Sequence, residues 1–175
     1  MNNTNPSIGA QAAFASLNVN KNGGVKAPHK AILLLAVMDL IERGSIQSPV
    51  IFLTDELVET FAGLWSHYVG NSALFSPDIT KPFFHMQSEP FWRLITREKL
   101  ADQPGTKPTY TLRWLRDRYF CAFLDDTLFA QLCNADARAE LRVLLITNYL
   151  TNQPKKDSLN LASLALWLGI VACVG

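Results

Sequence analysis

From Ala31 to Ile41 the chain carries a single polar side chain, Asp39. A helix that is apolar on nearly every side has to be buried, so this run predicts the spine of the fold. The helix should extend from about Pro28 to Arg43, with Gly44 as its left-handed stop. Its start is the anomaly. Lys26, His29 and Lys30 crowd the first turn around Pro28, whose missing N–H and preset φ suit the first helical position. A helix N-terminus already carries partial positive charge and free N–H groups, so cations there gain nothing from the macrodipole. Such a start makes sense if an anion sits between the basic side chains, phosphate foremost.

Around this spine the chain reads as mainly α with a small β element, an α+β domain of helices with a short hairpin. Ile8 to Leu17 predicts a first helix with Phe14 and Leu17 on one face, followed by an Asn- and Gly-rich loop from Asn18 to Gly24. Val50 to Leu53 is a short extended run. Thr54 then caps a third helix whose Leu57, Phe61, Leu64 and Trp65 face inward. A Pro- and Gly-punctuated segment from Gly70 to Pro90 interrupts the helices. Phe91 to Ile95 and Tyr110 to Trp114 predict two strands of one hairpin about a turn at Gln103 to Thr106. Asp125 or Asp126 caps a short helix through Leu132. Asn134 or Asp136 caps a longer one with Leu141, Val143, Leu144, Leu145 and Leu150 as its apolar face.

The sequence has 175 residues, about half of them apolar, which is enough for one domain with a proper core. With 16 basic and 15 acidic residues the net charge is +1, so a nucleic-acid partner would have to be met by a local basic patch. Cys121, Cys133 and Cys173 share no metal-type spacing and suit packing in a reducing compartment. Met1 to Ser7 lacks the basic-then-apolar layout of a signal peptide, and the expected location is the cytoplasm. The predicted organisation is one domain over 1–152 and an apolar, off-pattern tail over 153–175. From Leu159 to Gly175 that tail is almost wholly apolar. It reads as a tail anchor, a helix buried in the fold or an oligomer, or the scar of an interrupted gene.

Three spaced signatures belong together. The first is Lys26-Ala-Pro-His-Lys30 with the Leu-rich helix, and the second is Lys81-Pro-Phe-Phe-His-Met86 with Phe91-Trp92-Arg-Leu94. The third is Leu124-Asp-Asp-Thr-Leu-Phe129 leading to Arg138-Ala-Glu-Leu-Arg142 and Tyr149-Leu150. Over about residues 8 to 152 the chain resembles the N-terminal sulfur-binding domain of bacterial HNH-type restriction endonucleases. Studied members of that family recognise phosphorothioate-modified DNA, in which sulfur replaces a non-bridging phosphate oxygen.

The resemblance implies double-stranded, phosphorothioated DNA as the partner, with no cofactor, no metal and no membrane; a homodimer is left open. It implies that Lys26, His29, Lys30 and Lys81 hold the backbone. Gln87, Ser88 and Asp78 flank the proline motif and could reach base edges. The sulfur pocket would be formed by Pro82, Phe83 and His85, the proline ring being an apolar, rigid wall without an N–H. The chain departs from the family pattern at Lys81, where an aromatic can precede the proline, and at His85, where a small residue can follow. An extra cation favours any phosphate, whereas a purely apolar sulfur cup would lack it.

Each of these residues also has a plainer reading. Lys26 and Lys30 could mark a solvated helix start, and His29 could pack on the core with a backbone carbonyl as partner. Phe83, Phe84, Phe91 and Trp92 could simply be core. Arg113, Arg116 and Arg118 read as a polar face that could extend a phosphate track. A catalytic site is not expected, because His29, His67 and His85 form no His-Asn-His constellation and no nucleophile is paired with a base. The chain therefore resembles a reading domain without its cutting domain. The alternative is a protein-interaction module that docks a partner through its apolar tail.

Overall fold

The computed structural model describes residues 6–97 and 109–153; the apolar tail from Leu159 onward and the turn at Gln103 to Thr106 lie outside them. Helix α2, His29–Glu42, runs through the centre, and every side chain from Ala31 to Met38 is fully buried. Each such Leu, Ile or Val contributes on the order of 1.5–3 kcal/mol through the apolar surface it removes from water. Pro28 stands one residue outside the helix as its N-cap, and its carbonyl accepts the Ile32 N–H at 2.9 Å. Gly44 ends the helix at φ +79°, a conformation that costs a residue with a Cβ.

Helix α3, Asp55–Tyr68, packs along α2 through Leu57, Phe61 and Trp65. Thr54 caps it: its backbone is extended and its hydroxyl accepts the Leu57 N–H at 3.2 Å, with Asp55 and Glu56 in the first turn. Helix α1, Pro6–Ala15, lies against α7, Ala135–Tyr149, which also packs on α2. Helix α6, Asp126–Cys133, is capped by Asp125 and α7 by Asn134, one from each pair of candidate caps. In α7 the buried stripe is Leu141, Leu145 and Tyr149, one turn apart each time. Val143 points the other way and is 63% exposed, so it leaves the expected apolar face.

The domain is mainly α, with two small antiparallel sheets among the described residues, but the main one is not the predicted hairpin. Strand β4, Trp92–Thr96, pairs with β5, Tyr119–Leu124, which is central between β4 and β3, Val50–Ile51. Residues 110 to 114 enter α5, Leu112–Arg118, because Thr111 caps it by accepting the Trp114 N–H at 3.1 Å. Alternating Tyr, Thr, Leu, Arg and Trp mimic a strand, yet a cap followed by good helix formers decides the segment. The loop after α1 holds a second, two-stranded ribbon, β1 Lys21–Asn22 with β2 Val25–Lys26. Its turn residues Gly23 and Gly24 both have positive φ, the geometry that a two-residue hairpin demands. Within the segment from Gly70 to Pro90 lie a short helix, α4 Thr80–His85, and a 3-10 turn, Met86–Ser88.

Candidate nucleic-acid interface

The first turn of α2 opens on a cavity of about 390 Å³. One wall is the loop Asn18–Asn20 with Ala27, held together by the Ala27 N–H donating to the Asn20 carbonyl at 2.7 Å. The opposite wall is α4, which presents Lys81, Pro82 and His85, with Ser88 just beyond. His29, Lys30 and Phe75 complete the lining. Val19, Ala27, Phe75 and Pro82 are apolar, and four of the remaining side chains are basic or imidazole. The motif around Lys30 and the motif around Pro82 are 52 residues apart in sequence and face one space.

Local chemistry explains the placement of α4. Asp78 accepts the Thr80 N–H at 2.9 Å, starting the helix, and the single Thr80 hydroxyl proton is set between Asp78 at 2.5 Å and the Tyr110 carbonyl at 2.7 Å. Lys81 stays 59% exposed, with Asp78 at 3.6 Å as its only ion partner among the described residues. Phe83 turns inward to pack edge-on against Trp92, which fixes Pro82 on the cavity side.

His29 is wedged between Trp65 and Phe75, its ring centroid 4.7 Å and 5.8 Å from theirs. Its Nε2 lies 2.9 Å from the Ser76 carbonyl, so Nε2 carries the proton and donates. Burial lowers the His29 pKa below the usual histidine value; the Ser76 bond and Asp78 oppose this, and Lys81 adds to it. Burial also lowers His85, and the nearby Lys30 and Lys81 ammonium groups lower it further. Lys30 itself is buried. Its Nζ donates to the Ser88 hydroxyl at 2.8 Å and to Glu89 Oε1 at 2.5 Å.

Of the predicted site residues, His29, Lys30, Lys81, Pro82, His85 and Ser88 meet at the cavity. Phe83 does not line it: the ring is 1% exposed and belongs to the core beneath. Gln87 is exposed on the 3-10 turn and is not among the lining residues. Lys26 sits on β2, where its Nζ lies 4.8 Å from the centre of the Tyr149 ring and its carbonyl accepts from Gln153. Arg116 is committed to the Leu53 carbonyl and Asp55, and Arg113 stands 3.7 Å from Asp117. Arg118 lies over the Trp114 ring, at the end of a row that runs from His85 through Tyr110 to Trp114.

Sequence reasoning missed Glu89, the Asn18–Asn20 wall and Phe75. None of them left a local signal: the Pro90 that follows Glu89 predicts only an extended backbone there.

These features define a mainly helical domain with a basic cavity at the start of a buried helix. The chain belongs to the ScoMcrA-like, DNA sulfur-binding domain family, whose model matches residues 10–166. A DNA sulfur-binding domain is a reading module rather than a catalytic one. No curated protein matches the chain. Among the described residues no helix is long and apolar enough to cross a membrane, and no group of His, Cys, Asp or Glu is placed to hold a metal ion.

Proposed function

We propose that this chain reads phosphorothioate-modified double-stranded DNA by seating the modified linkage in the cavity at the start of α2, as the reading domains of HNH-type restriction endonucleases do. The observation that carries the reading is the pairing, in one cavity, of the Pro82 ring with Lys30, Lys81 and the α2 N-terminus. A phosphorothioate needs both halves. Its charge calls for cations and free backbone N–H groups. Its sulfur is larger, more polarisable and a poorer hydrogen-bond acceptor than oxygen, so it gains from an apolar wall. In this reading Lys81 and His85 take the flanking backbone, and Ser88 and Gln87 are the groups that reach toward base edges. His85 offers a ring face to the sulfur or a nitrogen to a phosphate oxygen.

The test is a titration against two short duplexes that differ in one phosphorothioate linkage, each at two salt concentrations. Tighter binding of the sulfur-bearing duplex, weakened on both duplexes by salt, is the expected result. Equal affinity for the two would refute the sulfur reading and leave a backbone-binding domain. Absence of binding to either would refute the DNA reading altogether.

A further inference from the structure

A buried carboxylate lies directly beneath the basic cavity, outside every motif that identifies the family here. Glu89 Oε1 accepts from Lys30 Nζ at 2.5 Å, from the Asn18 backbone N–H at 3.0 Å and lies 3.3 Å from the Ser88 hydroxyl. The residue is buried, and so is Lys30. Its aim is set by the backbone. Glu89 closes the 3-10 turn through its N–H to the Met86 carbonyl at 2.8 Å, and Pro90 holds it extended at φ −92°, ψ +139°.

We propose that Glu89 determines the specificity of this site: by neutralising Lys30 it removes net charge from the cavity floor and so raises the preference for a sulfur-bearing over an all-oxygen backbone. The inference rests on the reading of the cavity as the DNA-backbone site. An ammonium buried without a counter-charge is costly, and any anion entering beside it would be held strongly. A phosphate oxygen, the better acceptor, would gain most from that hold. With Glu89 in place, two of the three Lys30 N–H donors are already used, on Ser88 and Glu89. The oxygen then finds a weakened donor, whereas the sulfur still finds Pro82 and Val19 unchanged. The same Glu89 oxygen also accepts the Asn18 N–H of the wall facing Pro82, a wall that the Ala27–Asn20 hydrogen bond holds independently.

The two-duplex titration, repeated on two variants, tests this. Glu89→Gln keeps an amide oxygen for the Asn18 N–H and removes only the charge. It should tighten binding to the unmodified duplex by about tenfold, the worth of one charge-assisted hydrogen bond, and tighten binding to the modified duplex less. Its salt dependence should steepen by about one released ion. Lys30→Met/Glu89→Met removes both charges together, an exchange that buried pairs commonly tolerate. It should bind both duplexes more weakly and keep the wild-type preference to within about threefold, because the floor stays neutral. A folded Glu89→Gln variant with the wild-type preference or a larger one would overturn the inference. So would a double variant that loses the preference, and this second arm decides the matter if Glu89→Gln does not fold. Equal binding of the two duplexes by the wild-type protein would instead strike the functional reading itself, and this inference with it.

Discussion

Helix α2 has His29 and Lys30 in its first turn and Asp39 and Glu42 in its last, so both ends oppose the helix dipole. At the C-terminal end α7 supplies the counter-charge. Arg142 reaches Asp39 at 2.7 Å and Glu42 at 3.3 Å, and Arg138 comes within 3.8 Å of Glu42 while donating to the Leu132 carbonyl at 2.7 Å. At the N-terminal end Glu89 meets Lys30, but Lys81 and His85 look into a cavity. The first arrangement clamps two helices. The second is half clamp and half open space, and only that half has room for an outside anion. Opposed charges are matched from within the fold at one end of α2 and left incompletely matched at the other, and the proposed site rests on that difference.

Breaking the inner clamp should have the largest effect. Lys30→Met leaves Glu89 buried without its cation, a loss of about 3–5 kcal/mol in stability. Urea unfolding measures it, and a loss below about 1 kcal/mol would mean that Glu89 finds water and the floor is not closed. At the other end Arg142→Met removes a partner of the half-buried Asp39 and the exposed Glu42, so about 1 kcal/mol is expected. The same variant should bind both duplexes as the wild type does. An altered preference for sulfur would erase the distinction between the two ends.

The helices joined at the C-terminal end were largely legible from sequence, but the clamp of Arg138 and Arg142 on Asp39 and Glu42 was not. Apolar runs announced α2, and Thr54 announced α3 through a cap that acts over three residues. The charged first turn was legible too, as was its meeting with Pro82 once the family pattern was seen. What stayed hidden depends on distant partners. Tyr119–Leu124 is the central strand because it pairs with both β3 and β4, and nothing local distinguishes it from an apolar connector. Glu89 reads as a surface acid until Lys30, 59 positions away, is placed on it. Phe83 looked like part of the pocket because its neighbours are; the short helix α4 turns it through to Trp92 instead.

The open half of the site should respond to substitution in binding rather than in stability. Lys81→Gln loses one weak, exposed pair with Asp78, so stability should change by less than about 0.5 kcal/mol. Affinity should fall several-fold on both duplexes alike, with the salt slope reduced by about one. A loss confined to the modified duplex would move Lys81 from the backbone contact to the sulfur itself.

The smallest effect expected is also the one that separates stability from binding by its sign. His29 has its pKa lowered by burial, so below about pH 6.5 the unfolded chain takes up a proton that the folded chain does not. Stability from this group is therefore complete above that pH and declines as pH falls toward the depressed value, which urea midpoints at about pH 7.5 and 5.5 would register. Binding should run the other way. The His85 pKa is lowered by burial and by Lys30 and Lys81, and a phosphate bound beside Lys81 would offset part of that repulsion and favour the proton. DNA affinity should thus increase modestly as pH falls through the range in which His85 titrates, with proton uptake visible in calorimetry as a buffer-dependent enthalpy. His85→Gln should flatten that rise and leave the decline in stability unchanged. A rise that survives His85→Gln would assign the proton to His29 and place the anion deeper, against the first turn of α2.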